Sequence, residues 1–586
     1  MIRRLLLLSI FVVTSVVAAQ ETSDSPPAQG AIQIPRSGNS ELSLNPLFCR
    51  AVSDTCDLLS SLLFPTLTTT NPVDGSLALA NETNFALLAD YDLSADGDHY
   101  IYTLREDAQW SDGTPITAYD VLFSYLAIIS RATSSHYSNE ITQHLQGMIP
   151  IDDSTLMVIP EDIDCDLPLY ANFPVVPAHE FDEDFRNRVA SHFSDNILSL
   201  DSLEDWIDQD GFAFNRIVNH PFSFDPTVTY GHYTFAGQSD RDYLRLAHVN
   251  GQQVIETVVS QRGQSGIDDV IAGDIAYYTN PPQNEWQDLR NNPHVNTITL
   301  PTNTWYYLVF NFASTVEPLS YRDNEGEIQE QDPHRILINP DVRQAIQLGI
   351  DVQAIVDDVL WGEGEVMAGY SLPHLWTHNP DLDPIGYDPD LAAELLEATG
   401  WRRLNRSSAR VCIGCETTTD NSRLFLRLAY DDTSAVNQRV ASHIARQLRR
   451  INIEVEISGA GFGNMQSQQF DMYLGRRNTT FPVTVEESWF FSPENDVLGT
   501  GVNIGSYNNP EVTTLYHNAR TVNGCDINIR RELYYELEQQ VQADLPSAWL
   551  FTPYQIVVFH ESIQNVEIYP NQPIVNIHEW SVWRIE

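Results

Sequence analysis

The chain has 586 residues, with 80 acidic and 32 basic side chains, a formal net charge of −48 (32 − 80). That balance excludes a nucleic-acid-binding surface, which needs clustered cations, and suits a protein kept soluble by its acidic surplus. No lysine occurs and all 32 cations are arginine, so a Walker A phosphate loop, a Schiff-base amine and a serine–lysine dyad are excluded. The length allows two or three domains around a large core.

At the N-terminus, Arg3 and Arg4, the apolar run Leu5 to Val16 and the small residues Val17-Ala18-Ala19 read as a secretory signal cleaved before Gln20. No cysteine follows the run, so a lipid anchor is not expected. An uncleaved anchor is the alternative, although the run is short for a membrane span. Glu21 to Gly30, rich in Ser, Pro and Asp, reads as a flexible tether. The strand candidate Ala31-Ile32-Gln33-Ile34-Pro35 follows. In an exported chain six cysteines suggest disulfides. The local pairs Cys49–Cys56 and Cys412–Cys415 are the expected ones, with Cys165 and Cys525 left over, and the spacing does not dictate connectivity. A lone Cys-x-x-Cys without a second pair or histidines at zinc spacing reads as a plain disulfide.

Asp90 to Asp98 has acidic spacing unlike a calcium loop and reads as a hairpin turn between Tyr91 and Tyr100. Tyr100 to Leu104 alternates as a strand. Ser111-Asp112-Gly113-Thr114-Pro115 then breaks it with turn chemistry. Thr117 can cap a helix, with Asp120 placed three residues on, and Val121, Leu122, Tyr125, Ile128 and Ile129 fall near one helical face. No His-Glu-x-x-His helix surrounds His179, His560 or His578, and no Gly-x-Ser-x-Gly elbow occurs. An enzyme reading therefore lacks positive support.

Thr304 to Phe312 reads as a buried strand, and Arg322 to His334 as an acidic surface loop without apolar period. Asp388-Pro389 to Gly400 has the Pro start and Gly stop of a helix. Val436, Val440, Ile444 and Leu448 recur every fourth residue, and Ile451, Ile453, Val455 and Ile457 then alternate, so a helix feeds a strand, as an α/β domain requires. Ten arginines between Trp401 and Arg450 read as a solvated helix face.

Several of these stretches resemble the bacterial extracellular solute-binding proteins of family 5, which serve peptide and nickel ABC importers. The most specific are Trp110-Ser111-Asp112-Gly113-Thr114-Pro115 with Thr117-Ala118-Tyr119-Asp120-Val121, and Asp341-Val342-Arg343-Gln344-Ala345 with Gly349-Ile350-Asp351. Tyr387-Asp388-Pro389 to Gly400-Trp401 and Pro546 to Val566 support them by order and spacing. The resemblance implies an α/β, two-lobed periplasmic-binding-protein-like fold of the large class, with an extra subdomain and a ligand cleft between the lobes. It places a signal at 1–19, a linker at 20–30, lobe I at 31–75 and 176–302, the extra subdomain at 76–175, lobe II at 303–550 and a return to lobe I at 551–586.

It also implies a site. The loop Leu47 to Asp54 would border the cleft, with Arg50 facing a ligand carboxylate or simply solvated. The strand through Asn311 would run beside the cleft, making Asn311 a ligand-binding candidate. Asp471 to Pro482 is the segment where peptide-binding relatives carry Trp-x-x-Asp-Tyr-Pro, whose aspartate pairs with a peptide's α-amino group. Here Phe481-Pro482 match Tyr-Pro, Thr480 stands in the aspartate's place and Arg477 in the tryptophan's. Threonine cannot form an ion pair with an ammonium. Arg476, Arg477 and Asn478 would favour an anionic or carboxylate-bearing ligand, with a plain basic loop as the competing reading. Trp489, Phe490 and Phe491 would pack ligand side chains or sugar rings, or the core.

The implied function is an extracytoplasmic receptor that closes on an oligopeptide or similar solute and delivers it to permease subunits with separate ATPases. It would act as a monomer, without cofactor, metal, catalysis or nucleic acid, in the periplasm or at the cell surface. An oligosaccharide or other small anion is the alternative ligand, and a secreted hydrolase the reading from a different class.

Overall fold

The turn after Tyr100–Leu104 shows how polar residues fix this fold. Gly113 takes φ +88°, the left-handed conformation that the turn requires and glycine adopts without strain. The backbone N–H of Thr117 donates to Asp120 Oδ2 at 2.8 Å, closing the start of the helix Ala118–Ile129. Asp120 is 5 % exposed, and its Oδ1 accepts the Ala178 N–H at 2.9 Å, while Ser124 Oγ accepts the Val176 N–H at 2.9 Å. The capped helix thus grips the segment from Val176 to Ala178. Burial raises the Asp120 pKa, and the hydrogen bonds from Ala178 and Thr117 oppose that rise.

This is a computed structural model, and it describes residues 31–36, 44–48, 62–81, 83, 86–130, 135, 137–170, 172–193, 217–238, 244–251, 253–259, 264–405, 408–459, 465–479, 492–570 and 576–582. Residues 1–30, where an export signal and a tether are expected, Cys49, Cys56, Arg50, Thr480 and the segment 481–491 with Trp489 lie outside the described residues.

One four-stranded sheet runs Ala31–Arg36, Val254–Val259, Leu244–His248, Tyr233–Gln238, its first pair parallel. A second runs Leu88–Leu93, Tyr100–Leu104, Thr155–Pro160, Leu145–Pro150 and is antiparallel throughout, with the expected hairpin turning at Gly97. The largest sheet runs Tyr277–Thr279, Ser547–His560, Thr304–Phe310, Met472–Asn478, Phe425–Tyr430, Glu454–Gly459. Val295–Pro301 and Gly364–Val366 also pair with its long strand Ser547–His560.

Buried side chains divide into two main cores that separate along the chain. One draws on residues from Ile32 to Ala276 and from Val557 to Trp580, and includes both four-stranded sheets. The other draws only on residues from Trp305 to Phe551. Both four-stranded sheets share the first core, so the molecule has two lobes.

The second core's helices follow the sequence reading. Asn339 caps Pro340–Leu348 by accepting the Asp341 N–H at 3.0 Å. The helix Pro389–Ala398 starts on Asp388 and stops before Gly400 at φ +92°, where a Cβ would press against the Cys415 backbone. Ala435–Arg450 feeds Glu454–Gly459, paired parallel to Phe425–Tyr430.

The arginines are less solvated than their helical spacing implies. Arg410, expected on a basic surface, is 1 % exposed and donates to the carbonyls of Ile451 and Trp401 at 2.9 Å and to Glu397 at 3.0 Å. Arg343 of the Asp-Val-Arg motif is 5 % exposed and bonds four carbonyls, those of Leu337, Ile338, Asp544 and Leu545, at 2.7–3.1 Å. Burial pushes its pKa down to about 10, with Asp544 pulling the other way. The guanidinium fork suits this use because its donors are fixed in one plane.

The disulfides go beyond the expected local pairs. Cys412–Cys415 is present, but Cys165 and Cys525, left over in the sequence reading, also form a bond, across 360 residues. Long-range proximity of this kind has no sequence periodicity to announce it.

Two outcomes are expected. Arg343→Met orphans buried carbonyls and should lower stability by about 3 kcal/mol, measured by urea unfolding. His232 stacks on His578 at 4.1 Å and on His248 at 5.6 Å. Burial lowers the pKa of all three, to about 4 for His232, where the other two rings add to the effect; Glu579 opposes the shift at His578. A pKa lowered below the unfolded value of 6.5 favours the neutral rings, so their contribution is complete above pH 6.5 and is lost as pH falls toward 4. Unfolding free energy should decline over that window, and His578→Gln should flatten the decline.

Candidate functional site

A single strand connects the lobes and so positions whatever lies between them. Ser547–His560 is long enough to pair with both sides. Its first part matches Tyr306–Val309 and Gly364–Val366, and its second part matches Val295–Pro301 and Tyr277–Thr279. The chain passes between the cores here, at Pro301-Thr302-Asn303 and Thr552-Pro553-Tyr554.

Threonine hydroxyls stitch these crossings. The Thr302 N–H and Oγ1 donate to the Pro553 carbonyl at 3.2 and 2.8 Å, and Thr552 Oγ1 donates to the Thr304 carbonyl at 2.9 Å. Proline at 553 has no N–H to give, and threonine side chains add hydrogen bonds at this crossing.

The connector residue Asn303 leads to the sequence-predicted site. Its carbonyl accepts the Thr479 N–H at 2.7 Å, and its Oδ1 lies 3.1 Å from His374 Nε2. Strand Met472–Asn478 runs antiparallel to Thr304–Phe310, setting Asn478 opposite Thr304, Arg477 opposite Trp305 and Arg476 opposite Tyr306. Arg476, Arg477 and Asn478 therefore lie on the strand next to the crossing at Pro301-Thr302-Asn303.

Successive strand residues point to opposite faces, and directly paired residues share a face. Arg476 and Asn478 are exposed on the side of Tyr306 and Phe551, and Arg477 is half-buried on the side of Trp305 and Tyr307. The two arginines are thus not brought together on one face. Asn478 Oδ1 accepts from Thr304 Oγ1. Burial raises the Tyr306 pKa, and the Arg476 charge opposes the rise, so that cation acts across the pair.

Asn311 requires a correction. It is 0 % exposed; its Nδ2 donates to the carbonyls of Gln468 and Phe470 at 2.9 and 3.0 Å, and its Oδ1 accepts the Ala313 N–H at 3.0 Å. The side chain braces lobe II internally and lines no open space. Arg50, Thr480 and Trp489 lie outside the described residues.

Sequence reasoning missed the surroundings of Arg477. Trp305 and Tyr307 lie 4.5 Å apart, with Trp549 6.2 Å from Trp305 and Tyr370 6.5 Å from Trp549. A Cβ on Gly475 would collide with the Tyr307 ring, so glycine lets this aromatic face lie on the strand. Among the described residues, Trp549 Nε1 and His374 Nδ1 are buried without a hydrogen-bond partner. Burial pushes the His374 pKa down to about 4, with His378 adding to it, so the ring is neutral at pH 7. The signal for His374 was slight, a histidine after Pro373 in an irregular stretch.

The family profile for bacterial extracellular solute-binding proteins, family 5, matches residues 82–497. The oligopeptide-binding protein AppA of Bacillus subtilis is 21 % identical over 380 residues, 62 % of this chain and 64 % of AppA, so the chain spans just under two thirds of that relative's length. The periplasmic murein peptide-binding protein MppA of Escherichia coli is 23 % identical over 492 residues, 78 % of each chain. The unliganded open form of MppA superposes with a TM-score of 0.68 at 17 % identity, covering 95 % of this chain and 99 % of MppA. HbpA2 from Haemophilus parasuis also gives 0.68, at 15 % identity, covering 94 % of this chain and 100 % of HbpA2. With two lobes joined through one shared strand and a profile match over most of its length, the chain belongs to the bacterial extracellular solute-binding proteins of family 5.

Proposed function

We propose that this protein is the extracytoplasmic receptor of an ABC importer that captures an oligopeptide or similar solute between its lobes. Closure about Thr302 and Thr552 buries the ligand, and the closed receptor presents it to membrane permease subunits driven by separate ATPase subunits. The protein acts outside the cytoplasmic membrane as a monomer, by binding and not by turnover. The observation that carries this reading is the strand Ser547–His560, which links two lobes with separate cores. Peptide binding is favoured by the relatives whose names state oligopeptide and murein peptide. Backbone hydrogen bonding to an extended peptide makes side-chain identity secondary.

A second reading, an oligosaccharide or small anionic solute, draws on one observation: Thr480 stands where a carboxylate would meet a peptide's α-amino group, while Arg476 is exposed nearby in the chain. A secreted hydrolase is the weaker third reading, and a ligand recovered unchanged after incubation counts against it.

Thermal-shift measurements on residues 20–586, refolded to strip carried-over ligand, separate these readings. Short peptides with free and with acetylated N-termini should both stabilise the protein, by about 2.7 kcal/mol at 100 times the dissociation constant. Stabilisation by sugars alone would overturn the peptide reading. For a stabilising ligand with a free carboxylate, Arg476→Ala should weaken binding about tenfold, with a smaller salt dependence than the parent. An unchanged affinity measured by calorimetry would remove Arg476 from the site.

A further inference from the structure

Besides the two chain crossings and noncovalent contacts such as the Arg290–Glu363 pair and the Trp376 N–H on the Asp74 carbonyl, the lobes are joined covalently. The loop Asp164-Cys165-Asp166 follows the subdomain strand Thr155–Pro160, and its neighbours Tyr100 and Leu167 belong to the first core. Cys525 lies between the helices Pro510–Thr521 and Ile527–Asp544, whose Val512, Ala519, Tyr534, Leu537 and Val541 belong to the second core. The Cys165–Cys525 bond, with Cα atoms 5.3 Å apart, therefore runs from one lobe to the other.

The polar groups around it are arranged from both sides. Arg530 Nη2 donates to Asp166 Oδ2 at 2.7 Å, with Arg530 3 % and Asp166 2 % exposed. On its own lobe Arg530 is held by the Ala519 carbonyl at 3.0 Å and lies 5.1 Å from the Trp376 ring. Burial alone would lower the Arg530 pKa, but Asp166 and Tyr534 reverse that and raise it. Arg520 pairs with Asp164, and its carbonyl accepts the Cys165 N–H at 2.8 Å. On the other lobe Tyr100 OH donates to the Asp164 carbonyl at 3.1 Å. A buried ion pair loses most of its value when one partner is removed. The buried Arg530–Asp166 pair and the half-buried Arg520–Asp164 pair flank a covalent bond, an arrangement that suits a permanent contact better than one made and broken with each ligand.

We propose that the Cys165–Cys525 disulfide tethers the lobes, so that they rotate about a line through this bond and the Thr302/Thr552 hinge and cannot swing freely about the hinge alone. The tether narrows the range of ligand-free conformations and sets which edge of the cleft opens. The inference rests on the two-lobed fold and not on the identity of the solute. Its test uses ligand-free protein, so it can fail while the receptor reading stands.

Small-angle X-ray scattering on the stripped chain provides the test, comparing the oxidised protein with a Cys165→Ser/Cys525→Ser variant. A parallel sample of the unsubstituted chain is reduced natively with dithiothreitol. The reagent gives two electrons and two protons to the bond, freeing two thiols as it closes to its own cyclic disulfide, and alkylation with mass spectrometry reports which cysteines opened. A Cys412→Ser/Cys415→Ser variant controls for the local bridge. The radius of gyration and maximum dimension should rise in the double variant and in the reduced chain, with circular dichroism unchanged, and stay at the oxidised value in the control. Equal dimensions in oxidised protein, double variant and reduced chain would overturn the tether. So would the absence of a Cys165–Cys525 cross-linked peptide from a non-reducing digest.

Discussion

Everything between the lobes depends on one backbone ladder. The strand Ser547–His560 keeps its hydrogen bonds on both sides of the hinge, so each lobe treats half of it as an interior strand. Phe551 and Ile556, on either side of the crossing, are both 0 % exposed. On one edge the partner strand changes between Phe551 and Tyr554, from Thr304–Phe310 to Val295–Pro301, and threonine hydroxyls bond carbonyls there, while Gly364–Val366 pairs across the change on the other edge. The strand itself runs on unbroken and so fixes the direction of each lobe relative to the other.

The polar motifs shared with the family act as structural braces before they act on any ligand. Asp120 and Ser124 hold backbone N–H groups of the return segment, and Arg343 gathers carbonyls at the ends of two stretches of lobe II. Arg410 does the same near Ile451. A chain without lysine uses the planar, multidentate cation for these interior tasks, and buried carboxylates such as Asp120, Asp166 and Glu538 share them.

Local sequence carried much of the fold because its signals were local. Thr117 and Asp120 sit three residues apart, Asp388-Pro389 and Gly400 bracket one helix, and Val440, Ile444 and Leu448 mark one face. Each feature is satisfied within a few turns of chain, so periodicity and capping rules reach it. The tertiary pairings were not legible. Nothing in the spacing of Cys165 and Cys525 brings them together, since their approach follows from how the Ile527–Asp544 helix packs against the subdomain. Asn311 misled for a related reason: an amide next to a buried strand suits a ligand or a turn equally well, and only the positions of Gln468 and Phe470 decide for the turn. Arg476 and Arg477 were read together as cleft residues, but they lie on one strand whose period of two sends them to opposite faces.

That alternation bears on what the site can recognise. If both arginines faced the cleft, a strongly anionic ligand would be the natural partner, because two adjacent guanidinium groups make an anion clamp. With Arg476 exposed and Arg477 half-buried beside Trp305, one cation stays available to a carboxylate while the other side of the strand is aromatic. Trp305 and Tyr307 are buried in the second core on the face opposite Arg476, so under the proposed reading the strand offers a ligand a single exposed cation. That single charge suits a compact polyanion poorly, because such a ligand would leave most of its charge unmatched in a chain of net charge −48.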